Sequence, residues 1–108
     1  MELKTLINTL KQTGLPVAYG SLGGTDDDTE VPQPPYLVVL EDTRSDFIAD
    51  NVNYSKSHNY HIEFYFDEKN PELEEQIEAV LTNNSIAFSV SEDMWIPEER
   101  FFEKIYSI

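Results

Sequence analysis

The stretch NVNYSKSHNYHIEFYF, residues 51–66, ends in the most regular pattern of the chain. From Tyr60 onward the residues alternate. Tyr60, Ile62, Phe64 and Phe66 point one way, and His61, Glu63 and Tyr65 the other. A period of two, rich in aromatics, marks a strand with one buried face. No other segment is long enough to serve as the central strand of a sheet, so the fold is read outward from here.

Upstream, Tyr36 to Leu40 (YLVVL) is a continuous apolar run after two prolines, as expected of a strand entering the core. Between the two strands, Glu41 to Asn53 (EDTRSDFIADNVN) is polar apart from Phe47, Ile48, Ala49 and Val52. It reads as the far end of a long hairpin. Phe47 and Ile48 either fold back onto their own sheet or form a contact arm. Val17 to Tyr19 is a short strand. Before it, Leu3, Leu6, Ile7 and Leu10 line one face of a helix over Glu2–Thr13. Gly14 is placed to end that helix in the left-handed region, and Pro16 forbids its continuation.

Downstream, Asn70 is an N-cap, Pro71 the first helical residue, and Glu72, Glu74 and Glu75 load the first turns with negative charge. Leu73, Ile77, Val80 and Leu81 form the stripe this helix buries. Ile86, Phe88 and Val90 alternate with small residues as a further strand. Met94, Trp95 and Ile96 precede Pro97 and a polar turn, and Phe101 to Ile108 closes the chain as a strand apolar on both faces. Residues 1–108 are thus expected to form one α+β domain. Its antiparallel-rich β-sheet has four to five strands, with two helices packed on one face. A mobile acidic loop is expected at about residues 20–35, where three glycines and three prolines erase every period.

The chain has 108 residues, 21 of them acidic and 7 basic, for a formal net charge of −14. That balance repels nucleic acid and anionic membranes. It reads as a surface that DNA slides past, as a mimic of DNA, or as a highly soluble surface with no message. Without cysteine there is no disulfide framework and no thiolate metal site. No signal sequence or apolar span of about 20 residues is evident, so no membrane association is expected.

Catalytic and metal patterns fail one by one. Asp26, Asp28 and Glu30 begin like a calcium loop, but the sixth and twelfth positions hold Val31 and Leu37 where Gly and Glu are required. His58 and His61 are three apart, which on a strand sends them to opposite faces. His61 and Glu63 share a face, as cross-strand neighbours commonly do. GSLGG is followed by no Gly-Lys-Ser/Thr, and no nucleophile elbow is present. No enzyme activity, cofactor or metal is expected.

The ordered phrases GLPVAYG, PPYLVVL, DFIADN, Tyr54 followed by Lys56, YHIEFYF, NPELEEQIEAVL and SEDMWIP cover most of the chain. Together they resemble a family of short prophage-encoded proteins of the siphophage head–tail joining block, similar in layout to tail-terminator proteins. The stretch from Asp26 to Glu30 is longer than that pattern. The resemblance implies a virion structural role as a tail terminator or tail-to-head joining subunit. It also implies a homo-oligomeric ring, with a hexamer as one candidate size, contacting other phage head or tail proteins. Such a protein would occupy the host cytoplasm during assembly and then the virion. DNA would pass through without specific nucleic-acid binding. Asp26, Asp27, Asp28 and Glu30 are candidates to line the lumen, where carboxylates repel phosphates. Phe47, Ile48 and Trp95 are candidate subunit contacts, although for Trp95 a core position is the preferred reading. The alternative from another class is a small acidic inhibitor that mimics DNA and occupies the groove of a nucleic-acid-binding protein.

Overall fold

The computed structural model describes residues 2–20, 33–42, 47–49, 52–55 and 59–108; for 47–49 and 52–55 only the backbone pairing is described. Its centre is the strand read first from the sequence, Tyr60–Phe66 (β5), buried on every second residue. Tyr60, Ile62, Phe64 and Phe66 are between 0 and 7% exposed. β5 pairs antiparallel with Tyr36–Glu41 (β2) on one side and with Phe101–Ser107 (β8) on the other. Leu37 lies opposite Phe64 and Val39 opposite Ile62, while across β8 Ile62 meets Tyr106 and Phe66 meets Phe102. This register stacks one row of large apolar side chains over three strands, the arrangement that fixes strand pairing most strongly.

Val17–Tyr19 (β1) adds to β2 in parallel, and the far side of β8 carries Ser89–Val90 (β6) and Met94–Ile96 (β7). The sheet is six-stranded, in the order β1-β2-β5-β8-β6 with β7 also on β8. It is antiparallel except for the β1–β2 pair. Phe47–Ala49 (β3) and Val52–Ser55 (β4) form a separate antiparallel pair, between β2 and β5 in sequence. The sheet therefore exceeds the expected four to five strands by one. Met94–Ile96 is the addition, since three residues before a proline carry too little pattern to read as a strand. At Ile86 the expectation was too generous, because only Ser89 and Val90 pair with β8.

Leu3–Leu10 (α1) runs into a 3-10 turn, Lys11–Thr13, and ends at Gly14. Gly14 has φ +80, a conformation that costs an L-residue with a side chain about 1–2 kcal/mol. The Thr13 hydroxyl donates to the Leu10 carbonyl at 2.7 Å and accepts from the Leu15 amide at 3.2 Å, which satisfies groups the helix end leaves open. Pro71–Asn83 (α2) begins as its sequence dictates, with the Leu73 amide donating to Asn70 Oδ1 at 3.2 Å. Asn70→Ala removes that cap and is expected to lower unfolding free energy by about 1 kcal/mol. A urea titration checks this: the midpoint should fall with an unchanged slope.

Both helices cover the same sheet face. Leu6 and Leu10 of α1 and Ile77 and Leu81 of α2 share one core cluster with Leu37, Val39, Ile62, Phe64 and Tyr106. Gln76 ties the helices together by donating to the Thr13 carbonyl at 3.2 Å. The opposite face carries a smaller cluster of Tyr36, Val38 and Phe101, joined by Leu40, Tyr65 and Ile96. Tyr65 lies 5.0 Å from Tyr36 and 5.3 Å from Phe101, ring centre to ring centre.

Candidate functional site

The chemistry of the chain gathers at three places: the helix-free face of the sheet, a charged cluster beneath α2, and the two margins of the sheet. On the helix-free face the alternation of β5 places His61, Glu63 and Tyr65 in a row. Asp42, just past β2, donates its amide to the Asn59 carbonyl at 2.7 Å, which brings its carboxylate to His61. Asp42 Oδ1 and His61 Nδ1 are 2.5 Å apart, and His61 Nε2 is 3.6 Å from Glu63 Oε2. Tyr65 donates its hydroxyl to Glu63 Oε1 at 3.0 Å. Across the strand pair, Tyr65 is opposite Glu103 and Glu63 opposite Ile105, so the two glutamates are diagonal neighbours. Burial, then the hydrogen bond and the charge of Glu63, push the Glu103 carboxyl above the usual carboxylate range. Burial, then Glu63 and Glu103, likewise push the Tyr65 phenol up, and Tyr36 rises through burial, Glu99 and the same two carboxylates. No nucleophile with an activating base sits among these residues.

The second cluster lies on the helix side. Lys104 projects from β8 under α2, only 11% exposed in its side chain, and donates to Glu74 Oε1 at 2.6 Å. Asp93 lies 3.2 Å from the same ammonium. Lys69 closes the ring, 2.8 Å from Glu74 Oε2 and 2.8 Å from Asp93 Oδ2. Burial pushes the Glu74 carboxyl up, but the hydrogen bonds and charges of Lys104 and Lys69 outweigh it and hold the group below its ordinary value. Asp93 is held down in the same way. Two cations and two anions balance one another here, the pattern of a structural network. Sequence reasoning placed Glu74 with the other first-turn acids and missed its burial.

At the margins, among the described residues, three large apolar side chains are exposed: Tyr19 on β1, at one edge, and Val90 on β6 and Trp95 on β7, at the other. Trp95 is 51% exposed, which corrects the preference for a core position. The register that sets it opposite Phe102 leaves it on a short outer strand that, among the described residues, pairs with β8 alone. Its ring meets Phe102 edge-on at 4.9 Å. Phe102 stacks on Phe66 at 5.4 Å, and Phe66 on Phe64 at 5.0 Å. Trp95 is thus the outer rung of an aromatic ladder rooted in the core.

The other sequence-derived candidates have no described side chains. Phe47 and Ile48 lie on β3, opposite Ser55 and Asn53, with side chains outside the described set. Asp26, Asp27, Asp28 and Glu30, like His58, lie outside the described residues. Among the described residues, no group of three or more His, Asp or Glu is placed to hold a metal ion. Among the same residues, no helix is long and apolar enough to cross a membrane.

Comparison of the chain with known protein families, curated proteins and solved structures gives no match.

Proposed function

We propose that the chain is a structural, non-catalytic subunit of a phage head–tail junction, a tail terminator or tail-to-head joining protein that assembles into a homo-oligomeric ring. The observation that carries the reading is the placement of Tyr19 on one edge of the sheet and Val90 and Trp95 on the other. A ring is built from heterologous contacts, in which one patch of a subunit meets a different patch of the next. Aromatic side chains exposed on a rigid base are the usual anchors of such contacts. Trp95 has that base in Phe102 and Phe66. The ordered phrases from GLPVAYG to SEDMWIP support the phage assignment, and the net charge of −14 suits a channel that carries DNA. In this reading Asp26, Asp27, Asp28 and Glu30 face the lumen.

Trp95→Ala tests the contact. Loss of an aromatic anchor costs about 2 kcal/mol at each interface, roughly thirtyfold in association constant, and the loss repeats around a ring. The variant is expected to keep its fold by circular dichroism and to lose most infectious titre when it replaces the native gene. Unchanged titre for Trp95→Ala and for Tyr19→Ala would remove the edge contacts from the account. Capture of a basic, nucleic-acid-binding partner that is released steeply by salt would favour the DNA-mimic alternative.

A further inference from the structure

We propose that Glu63 and Glu103 share a single proton, making the helix-free face of the sheet an acid-responsive element that holds together when the proton is bound and loosens when it leaves. The inference does not depend on the ring reading. It begins with the register. Glu63 opposite Ile105 and Glu103 opposite Tyr65 sets the two carboxylates on adjacent strands at diagonal positions, within reach of long side chains. Tyr65, opposite Glu103, gives its hydroxyl to Glu63 Oε1 at 3.0 Å, so both carboxylates border one ring; a hydrogen bond between two such carboxyl groups requires a proton on one of them.

Among the described residues, the surroundings offer the pair little solvation and one group that can turn positive, His61. The Glu63 side chain is 17% exposed. From β2, Tyr36 and Val38 face the pair; Val38 is directly opposite Glu63 and 4% exposed. From β5 come His61, whose Nδ1 is engaged by Asp42, and Tyr65, whose hydroxyl is given to Glu63. From β7, the residue opposite Glu103 is Met94. Glu99, in the turn before β8, places negative charge near Tyr36. Among these described residues His61 is the one group that can turn positive. Both lysines of the other cluster lie on the helix side, tied to Glu74 and Asp93.

Burial first, then Glu63, raises the Glu103 carboxyl, while the Tyr65 hydrogen bond and the His61 charge oppose the rise. Two groups coupled in this way titrate as a pair in two macroscopic steps. When the shared proton departs to solvent, the pair passes from one negative charge to two and the hydrogen bond between them is lost. For a carboxyl whose folded value is raised, the stabilisation is fully present below the unfolded value. It disappears as pH rises through the folded value.

Carboxyl-carbon NMR of the intact chain, titrated from pH 3 to pH 9 at a concentration where it stays folded, decides the matter. The expected result is one early step and one step displaced above the ordinary glutamate value of 4.5, with both resonances responding to both steps. In Glu63→Gln the late step should move back toward the ordinary range, because the amide can donate to the remaining carboxylate. If that variant fails to fold, the wild-type titration still decides. Both carboxyls titrating independently in the ordinary range would overturn the proposal. So would a Glu103 midpoint that is the same in wild type and variant.

Discussion

Phe64→Ala is expected to lower the unfolding free energy by about 3–5 kcal/mol, a large share of the roughly 5–15 kcal/mol that holds a domain of this size folded. Phe64 is 1% exposed, lies opposite Leu37 on one side and Lys104 on the other, and stacks on Phe66. Its ring fills space beneath both helices at the strand with which two others pair, so no neighbour can collapse into the void without moving the sheet. Equilibrium urea unfolding should show a large fall in midpoint, with Ile62→Val as a milder control at about 0.5–1.5 kcal/mol. A loss under about 1 kcal/mol would mean that β5 is not the packing centre.

Glu74→Ala is expected to cost about 3 kcal/mol, because it leaves the Lys104 ammonium largely buried with Asp93 as its remaining partner in the ring. The cost belongs to the stranded charge more than to the lost bond. Adding Lys104→Met should therefore recover most of it, and a double-mutant cycle in urea would show a strong coupling between the two positions. Equal losses that simply add would contradict the network. The pH dependence follows from the same groups. Glu74 and Asp93 are held below their ordinary values of 4.5 and 3.8. Their contribution is complete above those values and is lost as pH falls through the lower folded ones. Glu103 has the opposite sign, since its contribution is lost as pH rises. The two faces of one sheet thus respond oppositely to acid. Glu103→Gln should raise stability above the ordinary glutamate range and flatten its decline with pH.

What the chain reveals without its fold is whatever depends on near neighbours. The alternation from Tyr60 to Phe66 reappears as strict burial of every second residue, and Asn70 with Pro71 starts α2 as capping chemistry requires. Gly14 ends the first helix for the reason its lack of a side chain implies. The sites are another matter. Glu74 and Lys104 are 30 residues apart and meet where α2 packs over β8, and Glu63 and Glu103 are 40 apart and meet through the pairing of β5 with β8. Among 21 acidic residues, nothing in local sequence marks these as the buried ones. Trp95 shows the same limit from the apolar side. A tryptophan between Met94 and Ile96 reads as core, yet it sits on a short strand at the sheet margin, so half of the residue's surface meets solvent.

The proposal that the chain joins phage heads to tails is tested most directly by electron microscopy of an induced lysate in which this gene carries an early stop codon. The account predicts filled heads lying apart from tails. Tails of irregular excess length would identify a terminator, and tails of normal length a head-side adaptor. Intact, infectious particles would contradict it.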